Sequence, residues 1–202
     1  MNNVILKGII RDIQPSHKIK DIEYNKANII TKRDNGKEDI LDLRFKKFSC
    51  NNQDGDFVEL IANARSYSTT TDGKNKVELY FFTYFDKPEE EIETNNYFEI
   101  DGRICKLNPL YTNDQGKHSI HFILANNVIV GDNKQKINSY LPCIAFGKVA
   151  REISKLSVGD KVVCKGECHS RYYRKEISKD DYETLVAHEL FVKEIESDAR
   201  EV

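Results

Sequence analysis

One strand pattern occurs twice in this chain and limits what it can fold into. Val4-Ile5-Leu6-Lys7-Gly8-Ile9-Ile10 and Phe98-Glu99-Ile100-Asp101-Gly102-Arg103-Ile104 each set apolar residues at alternate positions around a central glycine, at an offset of 94 residues. Glycine in mid-strand weakens a strand unless the chain must bend sharply there, as the first strand of a small closed barrel does when it joins two sheets. A second anchor, Gly55-Asp56-Phe57-Val58, corresponds to Gly159-Asp160-Lys161-Val162 at an offset of 104, so the second copy is the longer one. Between the anchors each half reads as strand, turn, strand, loop, strand and a final hairpin. That order predicts an all-β protein of two tandem five-stranded Greek-key barrels.

In the second half Ile120, Phe122 and Leu124 give period-two burial, and Tyr140 to Phe146 supply a third strand. Lys148 to Lys155 follows with Val149, Ala150, Ile153 and Leu156 at three- and four-residue spacing, which predicts a short helix between strands three and four. The matching stretch of the first half, Lys46 to Asp54, is shorter and rich in Asn and Asp, and reads as a loop or a single turn. Lys87-Pro88 and the acids after it read as an exposed linker, because proline stops a strand and like charges resist packing. The expected organisation is a first barrel over 1–86, a linker over 87–96, a second barrel over 97–196 and a short tail over 197–202.

Composition excludes several functions. No apolar run approaches the roughly 20 residues of a membrane span, and the start of the chain runs straight into a strand pattern with no targeting signal, so a cytoplasmic protein is expected. Five cysteines without regular spacing argue for a reduced compartment, and Cys164 and Cys168 fall on the apolar side of a strand, as buried thiols rather than zinc ligands. No metal, cofactor or small-molecule substrate is expected. There is no Gly-x-Ser-x-Gly, no phosphate-binding loop and no metal-spaced pair of histidines, so no enzyme is expected; His17, His118 and His188 read as loop or strand residues. The net charge is -2, with five acids against one lysine between Asp86 and Glu93, +2 over residues 1–85 and zero over residues 94–202. A nucleic-acid site on such a chain depends on a local basic stripe and on stacking, not on a large positive field.

Such a stripe lies on the fourth strand of the second copy. Lys161, Lys165, Glu167, His169, Arg171 and Tyr173 share one face, and Val162, Cys164, Gly166 and Cys168 the other. The strand-helix-strand order of 138–174, with Phe146-Gly147-Lys148-Val149-Ala150, Gly159-Asp160 and Gly166 ahead of Ser170-Arg171, resembles the bacterial single-stranded DNA-binding proteins over nearly all of residues 97–196. The resemblance implies OB-folds, a protein that binds single-stranded DNA without sequence preference, and roles in replication, recombination or repair, with a bacterial, phage or mobile-element origin and a place at the nucleoid. Carried over position by position, it implies that Tyr140, Phe146 and Tyr173 stack on bases. Around them Lys148, Lys165, His169, Arg171, Arg174 and Lys175 are the expected phosphate-side contacts. A further family aromatic falls near Val130, where this chain has no ring.

The two-copy layout is similar to a tandem form of that family. In the first copy Asp39 aligns with Tyr140, Thr69 with Tyr173 and Phe45 with Phe146, and Arg65 and Tyr67 lie in the fourth-strand region. Phe45, Arg65 and Tyr67 are therefore candidates for a secondary site on a barrel expected to bind weakly or to serve as a dimerisation surface. Tyr80, Phe82 and Tyr84 read either as another stacking patch or, more commonly for such a stripe, as core. Single-barrel relatives assemble four barrels, so the resemblance implies a homodimer of this chain. Replication or repair proteins are further possible partners, though the sequence given ends at Val202 without the family's acidic, hydrophobic-tipped tail. The alternative reading is an OB-fold interaction module of a replication or primosome assembly with weak or no DNA binding.

Overall fold

The structure is a computed structural model that describes residues 1–33, 35–71, 74–88, 94–130, 135–178 and 181–197, with backbone only at 71, 74, 75, 129, 130, 135, 175, 177, 178 and 181. The acidic run 89–93 and the end of the tail lie outside the described residues. In the first half β1 (Asn2–Ile19), β2 (Ile22–Lys32), β3 (Glu38–Lys46), β4 (Phe57–Thr71) and β5 (Lys74–Thr83) pair in the closed order β1-β2-β3-β5-β4-β1. In the second, β6 (Asn96–Leu107), β8 (His118–Val130), β9 (Gln135–Phe146), β10 (Lys161–Ser178) and β11 (Asp181–Ser197) close as β6-β8-β9-β11-β10-β6, with a two-residue strand β7 (Tyr111–Thr112) beside β8. Each barrel closes through three parallel pairs, Leu43 to Phe45 against Phe81 to Thr83 and Cys143 to Ala145 against Leu190 to Val192. These are two OB-folds.

The paired glycines sit where neighbouring backbone comes closest. A Cβ on Gly8 would lie 2.2 Å from the Ile30 carbonyl oxygen, and one on Gly102 2.6 Å from that of Ala125. Only a residue without a side chain lets β1 and β6 curl over the second strand of their barrel. The Gly-Asp turns also repeat in detail: Gly55 and Gly159 have φ of +100° and +101°, and their N–H groups donate to the Ile10 and Ile104 carbonyls at 2.8 and 2.7 Å. Period-two burial holds in both barrels, with Leu41, Leu43, Phe45, Leu79 and Phe81 in the first core and Ile120, Phe122, Leu124, Cys143 and Leu190 in the second. A helix α1 (Gly147–Ile153) buries Ala150 and Ile153, and among the described residues of the first copy a 3-10 turn, Lys47–Ser49, stands at the matching place. No helix among the described residues is long and apolar enough to cross a membrane.

The barrels are joined edge to edge by antiparallel pairing of β1 with β6. Asn2 opposes Ile100 and Leu6 opposes Asn96, so equivalent positions meet about an approximate two-fold axis. The axis repeats in the polar contacts. Asn2 exchanges two 2.8 Å hydrogen bonds with the Ala64 backbone, and Asn96 two with the Cys168 backbone at 2.6 and 2.8 Å. Farther out, the Tyr140 N–H donates to Ser66 Oγ at 2.7 Å and the Ile40 N–H to Ser170 Oγ at 3.0 Å. Each such bond contributes about 1 kcal/mol net, and the alternative for a buried amide is a larger penalty.

The same contacts correct the alignment of the two copies. Ile40, not Asp39, is the counterpart of Tyr140, and the parallel pairings make Phe45 the counterpart of Ala145 and Lys46 that of Phe146. A slip of one residue moves every side chain to the opposite face of a strand. Phe45 accordingly is fully buried, edge-on to Phe85 at 4.9 Å, and offers no face to a ligand. Of Tyr80, Phe82 and Tyr84, Phe82 is buried beneath Arg65, Tyr80 is half-buried and Tyr84 is exposed. They alternate with buried Leu79 and Phe81 and lie on the outer face.

Candidate nucleic-acid interface

On the outer face of the second barrel, β9, β10 and β11 bring Ile144, Phe146, His169, Arg171, Glu189 and Phe191 to the walls of one groove. Phe146 ends β9 and leads into α1 through Gly147 at φ +59°, which leaves its ring half exposed at 49%. The ring lies 5.6 Å from Phe191, and His169 stacks on the other side of this cluster, 4.8 Å from Phe191 at an interplanar angle of 14°. Burial lowers the proton affinity of His169 despite its 3.1 Å contact with Glu167, so the imidazole is neutral near pH 7. Burial pushes the Glu167 carboxyl up, but hydrogen bonds from Lys193 and His169 outweigh it and the group ends below its ordinary range. Arg171 stands on the open face with Glu189 3.6 Å away. A groove with a half-exposed ring, a stacked ring pair and a guanidinium can take a flat base on its floor and a phosphate on its rim.

The expected residues do not all meet there. Phe146, His169 and Arg171 do. Tyr140 is 49% exposed but lies toward the first barrel beside Ser66 and does not line the groove. Tyr173 is half-buried at a joint between two hairpins, with Lys76 Nζ 5.7 Å and the Arg171 guanidinium 5.8 Å from its ring. Lys165 is committed elsewhere, to Glu196 at 2.8 Å and Glu99 at 3.6 Å, and the hydrogen bond to Glu196 raises its pKa. Lys148 is open on α1 beside Glu152 at 3.5 Å, Arg174 is exposed on the projecting hairpin, and the side chain of Lys175 is outside the described residues, as is that of Val130. Phe191 was not among the expected residues. Its alternation with Leu190 and Val192 was the available signal.

The first barrel carries a second polar and aromatic face. The Arg44 guanidinium lies 4.4 Å from the rings of both Tyr67 and Tyr80, and Tyr67 donates to Glu78 at 2.5 Å. Arg65 covers Phe82 at 3.9 Å, and burial lowers its pKa. Beyond it His17 stacks on Tyr24 at 4.8 Å, and Lys46 lies 5.3 Å from the Tyr84 ring and 5.5 Å from that of Phe48, which is 72% exposed. Of the candidates on this copy, Arg65 and Tyr67 are on the outer face and Phe45 is not.

Cys164 and Cys168 are fully buried on the other side of β10, and burial pushes the Cys164 thiol up to about 12. Among the described residues no group of His, Cys, Asp or Glu is placed to hold a metal ion.

The comparisons with known proteins bear on both barrels. The wild-type single-stranded DNA binding protein from Thermus aquaticus superposes with a TM-score of 0.69 at 17% identity, over 99% of this chain and 94% of that one. A deletion mutant of the Thermus aquaticus protein gives 0.68 at 16%, over 100% and 96%. At such identities the likeness speaks for the fold of both halves. No curated protein matches the sequence. Residues 95–196, half of the chain, match the single-strand binding protein family, and the chain belongs to that family.

Proposed function

We propose that the chain binds single-stranded DNA, without sequence preference and without chemistry of its own, through the outer faces of its OB-folds. The observation that carries this is the groove around Phe146, within the family match, where a half-exposed ring and the His169–Phe191 pair adjoin Arg171. Rings accept any base, and each stacked base contributes about 1 to 3 kcal/mol. Paired bases in a duplex offer no such faces. Tyr140, Tyr173, Lys148, Arg174 and Lys175 extend the path outward from the groove, and Arg65 and Tyr67 mark the first barrel's contribution. Two barrels per chain support a working assembly of two chains with four barrels, which serves replication, recombination or repair by covering exposed strands.

The test is fluorescence anisotropy of the full chain with oligo-dT and with a matched duplex over a salt series. Binding should favour oligo-dT strongly, with a log-log salt slope near about -3 for roughly four phosphate contacts. Equal affinity for the two ligands would overturn the reading and favour an interaction module.

A further inference from the structure

The hairpin between β2 and β3 belongs to the first barrel in sequence but stands over the second. Its turn is closed by Arg33 N–H donating to the Lys37 carbonyl at 2.9 Å, Gly36 N–H to the Arg33 carbonyl at 2.9 Å, and Lys37 N–H to Asn35 Oδ1 at 3.0 Å. Gly36 has φ +79°, which an L side chain rarely adopts. The turn therefore holds Arg33 and Lys37 side by side. Arg33 then grips Asp39 with two hydrogen bonds of 2.5 Å, and Asp39, fully buried, accepts the Ser170 N–H at 2.7 Å. His188 Nε2 donates to the Ile40 carbonyl at 2.9 Å and fastens the same strand to β11.

This docking puts Arg33 and Lys37 on the wall of the groove formed by Ile144, Phe146, His169, Arg171 and Phe191. Arg33 is near enough to Glu167, Glu189 and His169 for each to feel its charge. The second barrel's own cations there are offset: Arg171 faces Glu189, and Lys193 is bonded to Glu167. Arg33 is itself held by Asp39. Lys37 is exposed and has no ion pair among the described residues, so it has the most to gain from a phosphate.

We infer that the single-strand groove of the second barrel is a composite site, completed by the first barrel's hairpin, in which Lys37 binds a phosphodiester of the strand whose bases lie against Phe146 and Phe191. The inference rests on the single-strand reading above and assigns a binding role to a residue outside the family match. Arg33 acts as a positioning residue that locks the hairpin in place.

The experiment measures oligo-dT binding by the full chain across a salt series. Lys37→Ala should reduce the magnitude of the salt slope by roughly 0.7, one phosphate's share for a single strand, and Lys37→Arg should keep it. In a Phe146→Ala/Arg171→Ala background, where the groove is disabled, adding Lys37→Ala should change nothing further. The inference is overturned if Lys37→Ala leaves the slope of the otherwise native chain unaltered. It is equally overturned if the loss persists at full size in the disabled background, because Lys37 would then serve another surface. Failure of the unsubstituted chain to bind oligo-dT would instead remove the functional reading itself, before any variant is compared.

Discussion

The two barrels share a backbone plan but fill corresponding outer positions with different chemistry. Arg65 of the first corresponds to His169 of the second, and each lies over the equivalent ring of its last strand, Phe82 or Phe191, at 3.9 and 4.8 Å. Lys46 corresponds to Phe146, Arg44 to Ile144, and Tyr84 to Lys193. In the first barrel the cations lie among rings, and several ring faces are already covered by guanidinium groups. In the second, rings lie against rings and cations rim the groove. A shared fold thus supports two balances of stacking and charge, and family membership alone does not tell them apart.

The largest difference lies at Asp39 and its counterpart Ser139, both buried. Asp39→Ala leaves the Arg33 guanidinium and the Ser170 N–H without their acceptor and should cost about 3 kcal/mol in chemical denaturation. Ser139→Ala should cost well under that. Similar losses at both positions would mean that the asymmetry has no energetic content. Asp39 also sets an acid limit. Burial pushes its carboxyl up, but the hydrogen bonds from Arg33 and Ser170 outweigh this and the pKa is lowered. Its stabilisation is therefore complete above the unfolded carboxyl value of about 4 and is lost as pH falls through the lower folded value. Asp39→Asn should lack that part of the acid transition.

Next in size is the exchange of ring for cation at one register position. Phe146→Ala should cost about 1 to 3 kcal/mol of oligo-dT binding with the salt slope unchanged. Lys46→Ala should lower the slope by roughly 0.7 with a smaller loss of affinity. If the two substitutions act alike, the proposed difference between the faces fails.

The inter-barrel serines test how far the two-fold relation extends. Ser66→Ala removes one acceptor and should destabilise by about 1 kcal/mol, whereas Ser170→Ala should cost more, because its hydroxyl also donates to Asp39 at 3.2 Å. Equal melting shifts would count against a distinct role for Ser170.

The smallest expected effect is in pH dependence. His169 is depressed by burial, so the unfolded chain takes up its proton first as pH falls below about 6.5, and folding stability declines through that window. His169→Arg, which copies the first barrel, should flatten the dependence between pH 6.5 and the folded value.

Much of the plan was legible from local rules. The mid-strand glycines, the Gly-Asp turns and the alternation of Ile120, Phe122 and Leu124 reported bending, turning and burial through chemistry confined to a few residues. The site was only partly legible. Phe146, His169 and Arg171 lie on strands that the pattern identified, but Lys37 reaches them through folding of the other half of the chain. Phe45 was misassigned because its alignment with Phe146 is off by one residue, and the resulting change of face became visible only from the pairing of β3 with β5. Tyr173 had the right chemistry and the right strand, and what occupies its surroundings, Lys76, comes from a distant hairpin.

The antiparallel seam between β1 and β6 has a consequence for how such a molecule can change over time. In a dimer of identical single barrels every substitution appears on both sides of the axis, so an interface residue must be tolerable opposite its own copy. Here both sides of the seam belong to one chain and can vary separately. A carboxylate at position 39 and a hydroxyl at position 139 show the result. One buried charge finds its partner in Arg33, and the equivalent position, Ser139, carries none. Joining the barrels covalently releases the interface from self-complementarity, and equivalent positions on its two sides can then carry different chemistry.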